Sequence, residues 1–214
     1  MRADADTIFS RLLASRLLPV VVLDDPADAV PLARALVEGG LPVAEVTFRT
    51  DAAAESIRRM AAEVPEALLG AGTVLTPAQV AAARAAGASF LVTPGFNPAV
   101  VAAAAEAGLP IVPGVNNPTG VEQAMAAGLS AVKFFPAEPT GGVPFLKALT
   151  GPYGAMRFIP TGGIGPKNLR DYLALPAVLA CGGSWMVDPA LVRARRFDEV
   201  RRLTAEAVAL ATSN

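Results

Sequence analysis

The sequence alternates short β-branched or apolar runs with alanine-rich stretches of helical periodicity, a pattern typical of parallel βαβ units. Eight such runs occupy residues 18–23, 43–47, 68–71, 90–93, 109–112, 131–134, 157–160 and 178–181. A doubly wound open sheet usually stops at five or six strands, so eight units in 214 residues predict one α/β domain, a (β/α)8 TIM barrel over residues 1–214. An extra helix is predicted before the first strand, over residues 5–16, and another over residues 197–210.

The composition excludes several classes of catalytic site. The chain has no histidine, which excludes Ser-His-Asp and Cys-His catalysis and the usual imidazole zinc sites. Its one cysteine, Cys181, excludes an intrachain disulfide and any multi-cysteine zinc site. We therefore expect neither a metal nor a cofactor, and the available chemistry is that of Lys, Glu, Asp, Arg and hydroxyl groups.

Charge and hydropathy argue against large partners. A formal net charge of -1 provides no basic field to attract nucleic acid. No apolar run approaches the roughly 20 residues that cross a bilayer, and the N-terminal segment lacks the pattern of a signal peptide. We expect a cytoplasmic protein that acts on a small molecule.

Lysine is scarce, and one of the three lysines is unusual. Lys133 interrupts an apolar run at 131–134, whereas Lys147 and Lys167 occupy ordinary helical positions. Burial disfavours the charged form of an amine, and a neutral amine attacks carbonyl carbons. A structural ion pair between Lys133 and a core carboxylate is the other interpretation, and the residues alone leave both open.

The second run provides possible partners for such an amine. Period-two alternation places Glu45, Thr47 and Arg49 on one face, where buried polar groups must satisfy one another or bind a ligand. One interpretation is a salt bridge between Glu45 and Arg49. The other assigns proton transfer to Glu45 and binding of a substrate carboxylate to Arg49.

Glycine-rich loops follow the seventh and eighth runs, at residues 161–164 and 181–184. β/α barrels commonly hold phosphate after these two strands, because bare backbone N–H groups approach the anion closely. The alternative is that both loops are only tight turns.

Eight motifs in order resemble one known family across nearly the whole chain. They are VAEVTFRT, GAGTVLTPAQ, TPGFNP, PIVPGV, VKFFPAE, GPYG, IPTGGI and GGSWMV. The family is that of the 2-keto-3-deoxy-6-phosphogluconate (KDPG) aldolases, which includes enzymes that also cleave 4-hydroxy-2-oxoglutarate (KHG). Only the loop at Asn116 and Asn117 departs from the usual pattern.

The resemblance implies a class I aldolase that releases pyruvate, with glyceraldehyde 3-phosphate from KDPG or glyoxylate from KHG. Lys133 would form the Schiff base and Glu45 would act as general acid and base. The implied substrate-binding residues are Arg49 and Thr73 at the pyruvyl carboxylate, Pro94 and Phe135 in the pocket, Thr161 near the reacting hydroxyl, and Gly162, Gly163 and Ser184 at the phosphate.

Family members are commonly homotrimers, and the resemblance implies a role in the Entner–Doudoroff pathway. Three alternatives remain open at this point. They are a preference for the galactonate analogue, a preference for an unphosphorylated keto acid, and a non-catalytic barrel that binds a sugar-acid phosphate.

Overall fold

The computed structural model describes residues 5–213, so residues 1–4 and 214 of the predicted domain lie outside the described residues. Within residues 5–213, helices alternate with nine short parallel strands. The strands are β1 (Leu17–Val21), β2 (Val43–Thr47), β3 (Leu68–Gly72), β4 (Phe90–Val92), β5 (Ile111–Val112), β6 (Gly114–Val115), β7 (Ala131–Phe134), β8 (Arg157–Pro160) and β9 (Cys181–Gly183). The α-helices are α1 (Ala5–Ser15), α2 (Ala29–Glu38), α3 (Ala53–Glu63), α4 (Pro77–Ala86), α5 (Pro98–Ala107), α6 (Pro118–Ala126), α7 (Gly142–Thr150), α8 (Leu169–Leu173), α9 (Pro189–Arg193) and α10 (Phe197–Thr212). The predicted first and last helices are confirmed by α1 and α10.

The strands form two parallel sheets, one of six strands in the order β5-β4-β3-β2-β1-β9 and one of three in the order β6-β7-β8. The parallel α/β class is thus confirmed, but the predicted single ring of eight strands is not one continuous sheet. The fifth predicted run, 109–112, contains β5, and the unpredicted strand β6 follows it after Pro113, which has no N–H to donate to a sheet ladder. An isolated bridge between Thr161 and Gly182 lies between the carboxyl ends of β8 and β9.

Several helices begin where the side chain before a proline caps the helix. Thr76 accepts a hydrogen bond from the backbone of Gln79 at the start of α4, and Asn117 accepts one from Gly120 at the start of α6. The proline at the first helical position loses no hydrogen bond there, because that N–H has no partner within a helix. These caps fix the ends of the loops that follow β3 and β6.

The strands form the centre of the core. Every strand residue is buried except Arg157, as expected where helices cover a parallel sheet. Phe90, Phe134 and Phe158 are among the largest side chains that are fully buried. Polar side chains in these strands are therefore exceptions that require an explanation.

None of the helices in the described part of the chain is both long enough and apolar enough to cross a membrane.

Candidate active site

Lys133 and Glu45 meet inside the fold. Lys133 lies in β7 and Glu45 in β2, and Lys133 Nζ donates a hydrogen bond to Glu45 Oε1 over 3.2 Å. Their side chains are 5% and 0% exposed, so the predicted burial of the lysine is confirmed. Arg49 forms no ion pair within residues 5–213, so the alternative salt bridge between Glu45 and Arg49 is wrong.

An ion pair this deeply buried is poor evidence of a structural purpose. Well-packed apolar residues of similar volume often give equal or greater stability, because two charges lose their hydration on burial. Stability alone therefore does not account for the pair.

The second carboxylate oxygen of Glu45 is not engaged. Oε2 is buried and accepts no hydrogen bond from the described residues. Buried polar atoms are nearly always hydrogen-bonded, and exceptions concentrate where a group has a chemical task. Oε2 is thus available to accept a proton or a hydrogen bond from a molecule that enters the site.

Phe135 provides an aromatic face beside the amine. Lys133 Nζ lies 5.1 Å from the centroid of the half-buried Phe135 ring, within the range of a cation–π interaction. Lys133 and Phe135 are two positions apart, and side chains at this spacing in extended backbone lie on the same face. The ring face stabilises positive charge on the nitrogen.

A cavity of about 190 Å³ begins at Phe135 and extends across the carboxyl ends of the strands. Six of the predicted site residues line it, namely Arg49, Phe135, Thr161, Gly162, Gly163 and Ser184. The motifs that are far apart in the sequence are thus brought together. Ile164, Gly182 and Gly183, from the two glycine-rich segments, also line it, together with Val20, Val22 and Pro189, which the sequence did not indicate. Val20 and Val22 lie at the carboxyl end of β1, and Pro189 is the first residue of α9.

Glycines form much of one wall of this cavity. Gly162 and Gly163 have φ values of +104° and +81°, which other residues rarely adopt. A Cβ on Gly182 would lie 2.2 Å from Thr161 Oγ1. This wall therefore exposes backbone that an anion could approach closely. The exposed Ser184 directly follows Gly183 and adds a hydroxyl group.

Arg49 lines the cavity from the turn after β2, and not from the face of the strand as predicted. Strand β2 ends at Thr47, whose buried hydroxyl donates a hydrogen bond to the carbonyl of Val21 over 2.8 Å. Arg49 lies in the following turn and is exposed. The predicted alternation therefore does not extend to Arg49, although its side chain does line the cavity.

Four predicted site residues are not among those that line this cavity, namely the buried pair Lys133 and Glu45, and Pro94 and Thr73. Pro94 lines a neighbouring cavity of about 520 Å³, which contains Asn116 and Asn117 and shares Phe135 with the first. Thr73 directly follows β3, is half-buried and has a φ of 55°. It is not among the residues that line either cavity.

Potential metal ligands are not clustered in the described part of the chain. No group of three or more Cys, Asp or Glu side chains there is arranged to hold a metal ion.

Comparison with known proteins places these features in a family context. A family model described as "Aldolase: KDPG and KHG aldolase" matches residues 8–203. The chain is 50% identical over 201 residues to the 2-dehydro-3-deoxy-phosphogluconate aldolase of Haemophilus influenzae, and the match covers 94% of this chain and 95% of that protein.

Solved structures agree with the sequence comparison. The KDPG aldolase of Legionella pneumophila, with pyruvate captured at low pH as a covalent carbinolamine intermediate, matches with a TM-score of 0.89 at 38% identity over 92% of this chain and 96% of that one. The KDPG aldolase of Zymomonas mobilis ZM4 with 3-phosphoglycerate matches with a TM-score of 0.88 at 41% identity over 95% of each chain.

Proposed function

Because the chain belongs to the KDPG and KHG aldolase family, we propose that it cleaves KDPG to pyruvate and glyceraldehyde 3-phosphate through a Schiff base on Lys133. It is a carbon–carbon lyase of the aldolase type. The observation that carries the mechanism is the buried contact of 3.2 Å between Lys133 Nζ and Glu45 Oε1. It places a potential nucleophile and a proton acceptor within one hydrogen bond of each other.

The first stage forms the iminium ion. Glu45 accepts a proton from Lys133, and the neutral amine adds to the keto carbon of the substrate to give a carbinolamine. Glu45 returns its proton to the hydroxyl group of that adduct, the hydroxyl leaves as water, and a protonated carbon–nitrogen double bond remains beside an ionised Glu45. The carbinolamine in the Legionella pneumophila enzyme supports this stage. The ring of Phe135 is close enough to stabilise the positive nitrogen.

The second stage breaks the bond between C3 and C4. Glu45 accepts the proton of the C4 hydroxyl, directly or through a water, and Oε2 has the acceptor capacity for this step. The electron pair of the broken bond moves into the iminium, which becomes the enamine of pyruvate, while C4 becomes the aldehyde of glyceraldehyde 3-phosphate. Protonation of the enamine at C3 and hydrolysis then release pyruvate and free Lys133.

The far end of the substrate carries the phosphate. We propose that Gly162, Gly163 and Ser184 hold it, because glycine backbone and an exposed hydroxyl line one wall of the cavity. The 3-phosphoglycerate in the Zymomonas mobilis enzyme supports a phosphorylated ligand in this family. Thr161, which adjoins this wall, would lie near the reacting hydroxyl.

The substrate carboxylate needs a cationic partner. We propose Arg49 for this role together with Thr73, and Pro94 as part of the pocket around the pyruvyl group. Arg49 lines the cavity and is free of ion pairs within residues 5–213, which supports its assignment. Its planar guanidinium matches a carboxylate with two parallel hydrogen bonds.

We also propose that the two sheets form one (β/α)8 barrel domain. Only Pro113 separates β5 from β6, and the bridge between Thr161 and Gly182 connects the ends of β8 and β9. A cytoplasmic homotrimer in the Entner–Doudoroff pathway remains our expectation from the family. Sedimentation equilibrium should give the mass of three chains.

KHG is the second candidate substrate, because the matching family model includes KHG aldolases. It has no phosphate, so the glycine wall would contribute little to its binding. Steady-state rates with KDPG, its galactonate analogue and KHG would rank the three substrates. A non-catalytic sugar-acid sensor would give no multiple turnover in a coupled assay for pyruvate.

Borohydride trapping tests the Schiff base directly. We expect pyruvate with borohydride to give one reduced adduct on Lys133, located by peptide mass. The variants Lys147→Arg and Lys167→Arg are matched controls that keep the adduct and the activity. A label on Lys147 or Lys167 alone would assign the nucleophile elsewhere.

A further inference from the structure

Strand β3 contributes two glycines, Gly70 and Gly72, to one face of the sheet. A Cβ on Gly72 would lie 2.3 Å from Glu45 Oε1, 2.5 Å from Cγ and 2.8 Å from Cδ. Real Cβ atoms essentially never come this close to another heavy atom. The side chain of Glu45 therefore occupies the space that any other residue at position 72 would fill.

Glu45 has little freedom to move away from such a side chain. It is 0% exposed, and its Oε1 is the atom that accepts the hydrogen bond from Lys133. A Cβ on Gly72 would also clash with Glu45 Cγ. Removing both clashes would therefore require the Glu45 side chain to move from its base. Such a change would carry the whole carboxylate away from Lys133 Nζ.

The glycine is not required by its backbone conformation. Gly72 is not among the glycines with positive φ, so alanine fits the strand conformation there. Its three nearest contacts at the Cβ position all belong to Glu45. The atoms that a side chain at position 72 would meet first thus all belong to Glu45.

We propose that Gly72 is a positioning residue, whose missing side chain provides the space in which Glu45 reaches Lys133. The inference rests on the proposed function, because it assigns Gly72 to the geometry of the acid–base group. Gly72 itself touches no reacting atom.

A double-mutant cycle tests the proposal with the variants Gly72→Ala, Glu45→Ala and Gly72→Ala/Glu45→Ala. General acid–base catalysis contributes about 10²- to 10⁴-fold, so we expect Gly72→Ala to lower kcat by about 100-fold or more, with KM changed only a few-fold. In the Glu45→Ala background the clashing atoms are gone. The rate of pyruvate methyl-proton exchange is measured in both backgrounds, and Gly72→Ala should lower it strongly when Glu45 is present but by less than about two-fold when residue 45 is alanine.

Thermal unfolding provides a second measure. Gly72→Ala should lower Tm when Glu45 is present and leave it unchanged or raise it when residue 45 is alanine. If Gly72→Ala fails to fold, a folded double variant still supports the proposal, and an unfolded double variant contradicts it.

Two further variants separate positioning from general effects of glycine replacement. Gly154→Ala is the surface control, because its Cβ would meet nothing within 4 Å, and it should keep normal activity and Tm. Gly70→Ala is the control within β3, where a Cβ would lie 2.4 Å from the Phe90 ring. It should lower Tm equally in both Glu45 backgrounds.

The outcomes distinguish this inference from the proposed function. Equal losses from Gly72→Ala in both backgrounds, or activity within about three-fold of wild type, would overturn the role of Gly72 while leaving the aldolase mechanism intact. Normal kcat in Glu45→Ala would instead contradict the proposed acid–base role of Glu45. The positioning role of Gly72 would then be contradicted as well.

Discussion

Replacing Lys133 with methionine removes the amine while filling most of its volume. We expect turnover to fall by about 10⁴-fold or more, the range seen when a catalytic nucleophile is removed. The fold should persist, because the surrounding core of β7 is apolar. Stability should nevertheless decrease, because Glu45 then keeps a buried charge without its partner.

The size of the stability loss follows from the geometry of the pair. At 3.2 Å and an effective dielectric constant of about 20, the Coulomb attraction is about 5 kcal/mol. Breaking a buried pair by removing one partner costs about 3–5 kcal/mol. Each kcal/mol lowers Tm by about 2–4 °C in a domain of this size, so Lys133→Met should unfold about 6–20 °C earlier.

The double variant Lys133→Met/Glu45→Leu separates the charge effect from packing. Without either charge, the site should regain most or all of the lost stability while remaining inactive. Calorimetry or circular dichroism gives Tm, and a lactate dehydrogenase-coupled assay gives turnover. The reasoning is refuted if Lys133→Met is as stable as wild type, if the double variant is no more stable than the single one, or if Lys133→Met turns over at a near-normal rate.

Three further predictions concern other parts of the chain. Ser184→Ala should raise KM for KDPG by about 10-fold or more, since a hydrogen bond to a charged group contributes about 1.5–3 kcal/mol, and should leave kcat/KM for unphosphorylated KHG nearly unchanged. Hydrogen bonds from Arg58 and then Arg59 lower the pKa of Glu55 from 4.5 to about 2, so its stabilising effect is present above pH 4.5 and is lost as the pH falls towards 2. Thermal unfolding of Glu55→Gln should therefore differ from wild type at neutral pH and converge with it near pH 2, and a constant difference would contradict this. Burial raises the pKa of the Cys181 thiol, so iodoacetamide at neutral pH should label it only after denaturation, and rapid labelling of the native protein would contradict the burial.

The sequence predicted the order of the elements better than their ends. The predicted bounds of β2, β7 and β8 agree with the structure, because apolar runs flanked by turn residues define buried strands. Strand β6 was missed, since it has only two residues and directly follows Pro113, which reads as the end of a strand. The position of Arg49 was missed because period-two alternation says nothing about where a strand stops.

The partner of Glu45 required the three-dimensional structure. The sequence allowed Glu45 to pair with Arg49 four residues away or with Lys133 in a distant strand, and periodicity did not choose between them. The choice depends on where β2 ends and on which strands face each other. The contact between Gly72 and Glu45 was beyond sequence reasoning for the same reason, since a glycine in a strand has many possible causes.

Three features of the Glu45 environment each oppose stability, and they occur at the same point. A buried charge pair contributes no more stability than well-packed apolar residues. The unpaired Oε2 lacks the stabilisation of a hydrogen bond, and a glycine within β3 weakens the strand. If these were independent accidents of the core, they would be scattered over the sheets. Their convergence on one carboxylate supports the proposed role of Glu45, which requires a proton held beside Lys133 and one oxygen left for the substrate.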